Sequence, residues 1–225
     1  MFAQALLRSN KANITAGARY NHNSLYQASF VPRIGITKVF DPFHLKFLFS
    51  TAFRAPSTEN IDLNPAIKPE NTRVFEAETG YEINDKMFIK LNAFDITTCQ
   101  PIIYYFNKNN DSEGYANYPK TGTRGFEVEY KFKTKKDYAQ INYSFYSTRG
   151  KESLSAYEVP YNHDVLLAFP AHKINLSSGL SMSEHLKINS AVSISGPRYG
   201  ITSVNENEEF VYKKFTPLVI VNLNL

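Results

Sequence analysis

In residues 126–132, Phe126, Val128, Tyr130 and Phe132 alternate strictly with Glu127, Glu129 and Lys131. A helix would scatter both sets around its circumference. A strand sends successive side chains to opposite faces, so this stretch specifies a strand with one apolar and one charged face. The period recurs: Ala139, Ile141, Tyr143 and Phe145 alternate with Gln140, Asn142, Ser144 and Tyr146, and Phe75, Ala77, Thr79 and Tyr81 with Glu76, Glu78 and Gly80. Met87, Ile89, Leu91 and Ala93 alternate in the same way with Lys90 and Asn92. Strands are predicted at 2–8, 13–20, 30–40, 44–53, 73–83, 87–98, 121–132, 139–146, 172–182, 186–195 and 215–225. That makes about eleven strands of about ten residues, the length that crosses a bilayer at a steep tilt.

The connections alternate in length. Short turns fall at 9–11, 41–42, 84–86, 133–137 and 183–185, and longer links at 21–27, 54–71, 101–118, 148–171 and 197–214. An up-and-down sheet gathers alternate connections at opposite ends, so one end carries all the tight turns and the other all the long loops, as in outer-membrane barrels. A Greek-key sandwich would mix the lengths at both ends. The predicted fold class is therefore all-β, an antiparallel up-and-down transmembrane β-barrel. Aromatics follow the same geometry: Phe40, Phe43, Phe88, Phe132 and Tyr138 flank the short turns, and Tyr20, Tyr26, Phe53, Phe106, Tyr118 and Tyr146 lie near the long-loop ends. Such rings anchor a barrel at the two membrane interfaces.

Composition removes several other classes. The chain has no apolar run of the roughly 18 residues that a membrane helix needs. A formal charge of +4 with dispersed basic residues gives no footprint for nucleic acid. Cys99, the single cysteine, cannot form an intramolecular disulfide and reads as a half-buried residue near a strand end. His22, His44, His163, His172 and His185 fall in separate turns and loops without metal-type spacing, and no Ser sits in a nucleophile elbow. His163-Asp164 lacks further partners in sequence, so neither an enzyme nor a cofactor or metal site is expected.

Pro56, Pro65 and Pro69 interrupt the pattern between two of the strands. Each removes a backbone donor and pushes the preceding residue out of the α region, so the middle of this segment is expected to be an ordered loop without helix or central strand. Its wording is Phe53-Arg54-Ala55-Pro56-Ser57 with Glu59, then Asn64-Pro65 and Ile67-Lys68-Pro69-Glu70, then a Glu-rich strand ending in Gly80-Tyr81. Together with Gly122, Gly125, Glu127 and Glu129 of the later strand, it resembles the barrel signature of TonB-dependent outer-membrane receptors. Phe53, Arg54, Pro56, Pro69, Glu70, Gly122 and Gly125 carry that resemblance.

The resemblance implies a bacterial outer-membrane location, an N-terminal plug domain inside the barrel, and a TonB box. Through that box, energy from the inner membrane drives import of a scarce nutrient such as a siderophore, cobalamin, another metal chelate or a glycan. The family's barrel has about 22 strands, so residues 1–225 are expected to form a partial barrel that lacks the plug and the final strands. The start at Met1 has no signal-like core, which fits a chain that begins inside a larger protein. An open sheet would leave two rows of unpaired backbone groups in lipid. The alternatives are a complete small passive porin or structural barrel, for which an odd strand count is unusual, and more remotely a barrel enzyme.

In a barrel the polar face is the lumen. Glu76, Glu78, Lys90, Asn92, Glu127 and Glu129 are therefore expected to face the lumen, the carboxylates pairing with inward Lys or Arg, with water, or with a plug. Tyr104, Tyr105, Tyr115, Tyr118, Tyr157 and Tyr161, in the long loops, are the expected contacts for a small ligand, since Tyr combines a stiff ring with a polar tip.

Overall fold

The computed structural model describes residues 1–107, 112–151, 154, 157–207 and 209–224. The chain starts with four strands, β1 (Phe2–Arg8), β2 (Asn13–Asn23), β3 (Gln27–Phe40) and β4 (Phe43–Arg54), and a short helix α1 (Thr58–Leu63). Next come β5 (Glu70–Asn84), β6 (Met87–Cys99), a hairpin of β7 (Ile102–Asn107) and β8 (Ser112–Asn117), then β9 (Lys120–Lys133) and β10 (Tyr138–Ser147). The last part contains β11 (His172–Ser181), β12 (Lys187–Ser195), a hairpin of β13 (Arg198–Val204) and β14 (Phe210–Phe215), and β15 (Leu218–Asn224). Eleven strands form one sheet in the order β1-β2-β3-β4-β5-β6-β9-β10-β11-β12-β15, every pair antiparallel, with β1 and β15 as its edges. This is the up-and-down wall that the alternation and the turn asymmetry predict.

The register sorts the side chains. Lys46, Glu78, Asn92, Glu127 and Ser144 stand opposite one another across β4, β5, β6, β9 and β10, and the next row, on the other face, is Phe47, Ala77, Ala93, Phe126 and Phe145. Aromatic rings meet along the apolar face, with centroids 4.9 Å apart for Phe49 and Phe75 and 5.6 Å for Phe126 and Phe145. This face is the open one: Phe75 is 55% and Leu91 44% exposed, whereas the side chains of Glu78 and Glu129 keep 17% and 14%. A water-soluble domain would have the reverse arrangement, because burial of apolar surface drives its folding. Apolar residues outside and charges sheltered inside describe the wall of a membrane barrel.

Four local expectations need correction. The Pro-rich segment does contain a helix, α1, because Pro56 and Pro65 restrict only their own positions and the residues just before them, leaving 57–63 free. Ser57 caps it: its side chain accepts from the Asn60 N–H at 3.2 Å while Asn60 Oδ1 accepts from the Ser57 N–H at 2.9 Å. The link expected at 21–27 shrinks to a turn at 24–26, since β2 and β3 run on in register to Asn23 and Gln27. Two of the long loops contain the hairpins β7–β8 and β13–β14; Ile102 to Phe106 is apolar on both faces and so gives no alternation to read. Finally, Phe215 ends β14, and the barrel strand starts only at Leu218, beyond Pro217. Of the predicted strand at 215–225, Leu225 lies outside the described residues, as do 108–111, 152–153, 155–156 and 208 of the predicted loops.

Gly122 and Gly125 sit where neighbouring backbone comes closest. A Cβ at Gly122 would lie 2.1 Å from the Ile96 carbonyl oxygen, and one at Gly125 2.0 Å from that of Phe145. Backbone cannot swing aside as a side chain can, so these two positions set the approach of β9 to β6 and β10. Gly35 differs, its nearest neighbour being Leu48 Cδ1 at 3.8 Å. Gly125→Ala should therefore destabilise the protein by about 1–3 kcal/mol, and Gly35→Ala by less than about 0.5 kcal/mol. Urea unfolding midpoints in lipid would check this, and equal shifts for the two variants would contradict it.

Candidate functional site

Two groups of polar residues stand out, one on the sheltered face and one at the long-loop end. On the face, Lys90 of β6 lies between two carboxylates, with Nζ 3.7 Å from Glu78 Oε2 and 3.6 Å from Glu129 Oε1. Lys131 Nζ is 2.8 Å from the same Glu129 oxygen, and Gln140 Nε2 donates to the other at 2.9 Å. His44 Nε2 lies 3.2 Å from Glu78 Oε1, its ring stacked on Phe88 over Gly80, where a Cβ would come within 1.9 Å of the imidazole. The network joins strands β4, β5, β6, β9 and β10. It shares out charge that would otherwise repel along the face.

The six residues expected on the polar face do share it. Lys90, Glu78 and Glu129 come together, with Asn92 beside them in register between Glu78 and Glu127. Among the described residues, Glu76 and Glu127 have no ion-pair partner, and Asn92 Oδ1 is buried without a hydrogen bond. Sequence reading placed Lys131 and Gln140 on the polar faces of their strands without assigning them to Glu129, and it missed His44. His44 was legible in principle, since it keeps the period of Lys46 and lies opposite Gly80.

At the long-loop end, Arg54 at the end of β4 grips Glu70 at the start of β5 with a fork, Nε to Oε2 at 2.7 Å and Nη2 to Oε1 at 2.5 Å. The same pair captures the first residue of β7: Glu70 Oε1 accepts from the Ile102 N–H at 2.6 Å, and Arg54 Nη2 donates to the Ile102 carbonyl at 3.2 Å. Asn117 of β8 acts like a strand edge toward Lys68, accepting from its N–H at 2.7 Å and donating to its carbonyl at 2.9 Å. It also donates to the Gln100 carbonyl at 2.8 Å, and Asn64 donates to that of Tyr115 at 2.8 Å. Pro56, Asn60, Ile67 and Ile102 are buried here, whereas Pro69 is half-buried and Phe53 pairs with Asn71. Of the signature residues, Arg54 and Glu70 thus tie the Pro-rich segment to the β7–β8 hairpin as one block, and Pro56 is buried in that segment.

The six tyrosines form two groups. Tyr104 and Tyr115 face each other across the hairpin, rings edge to face at 5.6 Å, while Tyr105 lies opposite Gly114 and Tyr118 follows β8. The Tyr104 hydroxyl donates to Glu113, which raises its pKa above the ordinary phenol value. Tyr157 and Tyr161 belong to the loop after β10, where Tyr161 packs edge to face on Tyr199 of β13 at 5.5 Å and Lys214 covers Tyr199 at 5.9 Å. Tyr157 lies within electrostatic reach of Arg54, so the second group borders the block that holds the first. In the same loop His163 pairs with Glu158, Nδ1 to Oε1 at 2.7 Å, rather than with Asp164.

Residues 1–225 match the model of the family described as TonB dependent receptor-like, beta-barrel. No curated protein sequence matches the chain. The siderophore receptor PirA from Acinetobacter baumannii is similar in structure at 16% identity and a TM-score of 0.79, over 99% of this chain and 38% of that one. A mutant of the ferric enterobactin receptor PfeA from Pseudomonas aeruginosa, in complex with enterobactin, gives 15%, 0.77, 99% and 36%. The FrpB iron transporter from Neisseria meningitidis gives 13%, 0.73, 99% and 37%. The chain thus spans well under half the length of the structures it matches.

The block at the long-loop end depends on the fork. Arg54→Ala would remove it and leave Glu70, whose side chain is 14% exposed, facing Ile102 alone; Arg54→Lys would keep the charge without the two-pronged geometry. In the intact natural protein, Arg54→Ala should speed protease cleavage near Ile61 and hydrogen exchange at Ile102 by about tenfold, with Arg54→Lys in between. Unchanged rates in both variants would show that the segment is held without the fork.

Proposed function

Because the chain belongs to the TonB-dependent receptor-like β-barrel family, we propose that it forms part of the barrel wall of a bacterial outer-membrane receptor. That receptor imports a scarce nutrient, of which a ferric siderophore is the first candidate, with energy coupled through TonB. The observation that carries this reading is the family match along all of residues 1–225. The fold supports it, since the eleven-stranded sheet lies on a stretch of the barrels of two siderophore receptors and an iron transporter. The family is one of receptors and transporters rather than enzymes.

In this reading the polar face lines the lumen, where Glu76 and Glu127, unpaired among the described residues, and the buried Asn92 oxygen face a plug domain supplied by another part of the protein. The long-loop end lies outside the cell. Its tyrosines on β7–β8 and around β13 contact the ligand before the plug does, and the Arg54–Glu70 block holds the first group at a fixed height. A complete small porin is the weaker reading, because β1 and β15 remain edges with unpaired backbone groups that lipid would penalise by several kcal/mol each.

Uptake distinguishes the two. The natural protein containing this chain, expressed in a Gram-negative strain stripped of its own siderophore receptors, should give saturable uptake of a radioiron-labelled siderophore. That uptake should vanish when TonB is deleted or the proton gradient is collapsed. Uptake proportional to concentration and indifferent to TonB would favour the passive porin.

A further inference from the structure

On the open, apolar face, charge begins abruptly toward the long-loop end. Phe75 stands opposite Asp95, and Asp95 opposite Arg124; the next row on the same face is Arg73, Thr97 and Gly122. Lys151, from the turn after β10, reaches onto this face, with its Nζ 2.5 Å from Asp95 Oδ1 and 2.6 Å from Thr97 Oγ1 and its side chain only 9% exposed. Arg124 Nε lies 3.5 Å from Asp95 Oδ2. The turn that delivers Lys151 closes with its N–H on the Thr148 carbonyl at 2.8 Å and needs Gly150 at φ 75°, beside the Arg124 guanidinium.

Asp95 is the one carboxylate on these rows of β5, β6 and β9, against Arg73, Arg124 and Lys151. Lys151 is committed to Asp95 and Thr97. Arg73 is exposed and Arg124 keeps 51% of its side-chain surface. A solvated surface would leave such a cluster unremarkable, but here it directly adjoins the Phe49–Phe75 and Phe126–Phe145 aromatics. In a barrel wall, that level is the headgroup layer of the lipid.

We propose that Arg73 and Arg124, arranged around the Lys151–Asp95–Thr97 hub, bind a phosphate group of an anionic lipid headgroup in the leaflet at the long-loop end. The proposal rests on the outer-membrane reading above. Guanidinium suits the task because its planar fork meets two phosphate oxygens at once. Lys151 acts as a positioning residue. It neutralises Asp95, which would otherwise repel the phosphate, and pins the start of the 148–171 loop over the site.

The test uses the natural full-length protein in detergent, with lipid retention measured by native mass spectrometry for diphosphorylated lipid A, for its dephosphorylated form, and for the first in competition with inorganic phosphate. Arg73→Gln/Arg124→Gln should retain diphosphorylated lipid A at least roughly tenfold less well than wild type, and Arg73→Lys/Arg124→Lys should fall between. Wild type should prefer the phosphorylated lipid by a similar factor, a comparison that decides the matter even if the glutamine variant fails to fold. Equal retention of the two lipids by wild type, or undiminished retention by the glutamine variant, would overturn the proposal. Displacement by inorganic phosphate at equal concentration would overturn the lipid assignment in favour of a free-anion site. Loss of TonB-dependent uptake with lipid preference intact would sink the transport reading alone.

Discussion

Hydrocarbon offers a backbone N–H or C=O no partner, so a chain that crosses it as strands must satisfy each group from a neighbouring strand. The up-and-down order of the sheet answers this constraint in the simplest way. Every strand from β2 to β12 in the sheet has an antiparallel neighbour on both sides, and the hairpins β7–β8 and β13–β14 leave the sheet at its long-loop end rather than interrupting it. The inverted side-chain pattern follows from the same constraint. Once the backbone is paired, the faces are free to specialise, and Phe47, Phe75 and Phe126 take the open face while Lys90, Glu78 and Glu129 share the sheltered one.

Local chemistry made most of the sheet legible. Alternation at Phe126 to Phe132 or Ala139 to Tyr146 needs only neighbouring residues to be read, and the register then carries it across the sheet, because a slip by one residue would send several carboxylates to the lipid face. What sequence reading missed depended on distant partners or on a weak local signal. The helix α1 is held by a Ser57–Asn60 capping box that three nearby prolines masked. The strand β7, apolar on both faces from Ile102 to Phe106, lacks alternation, and the attachment of its partner β8 through Asn117 to Lys68 spans 49 residues of chain. Lys151 finding Asp95 across 56 residues is of the same kind. No spacing rule could have announced it.

The signature residues fall into two physical classes. Gly122 and Gly125 are glycines because backbone oxygens occupy the place a Cβ would take. Arg54 and Glu70 are charged because a forked pair can hold one residue of another segment, Ile102, by both its backbone donor and its backbone acceptor. The first class fixes how closely strands approach, and the second fixes where the long-loop end stands above them. In the proposed receptor, a rigid wall and an ordered rim present the ligand to a plug, whose contacts fall on the carboxylates that the wall leaves unpaired.

The central claim is that the charged face looks into an aqueous lumen and the aromatic face into lipid. Single cysteines at Glu127→Cys and Val128→Cys, in the natural protein with Cys99→Ser, place these faces directly in intact outer membranes. A small water-soluble, membrane-impermeant thiol reagent should modify the cysteine at position 127 and leave that at position 128 unreacted. Reaction at 128 but not at 127 would contradict the account.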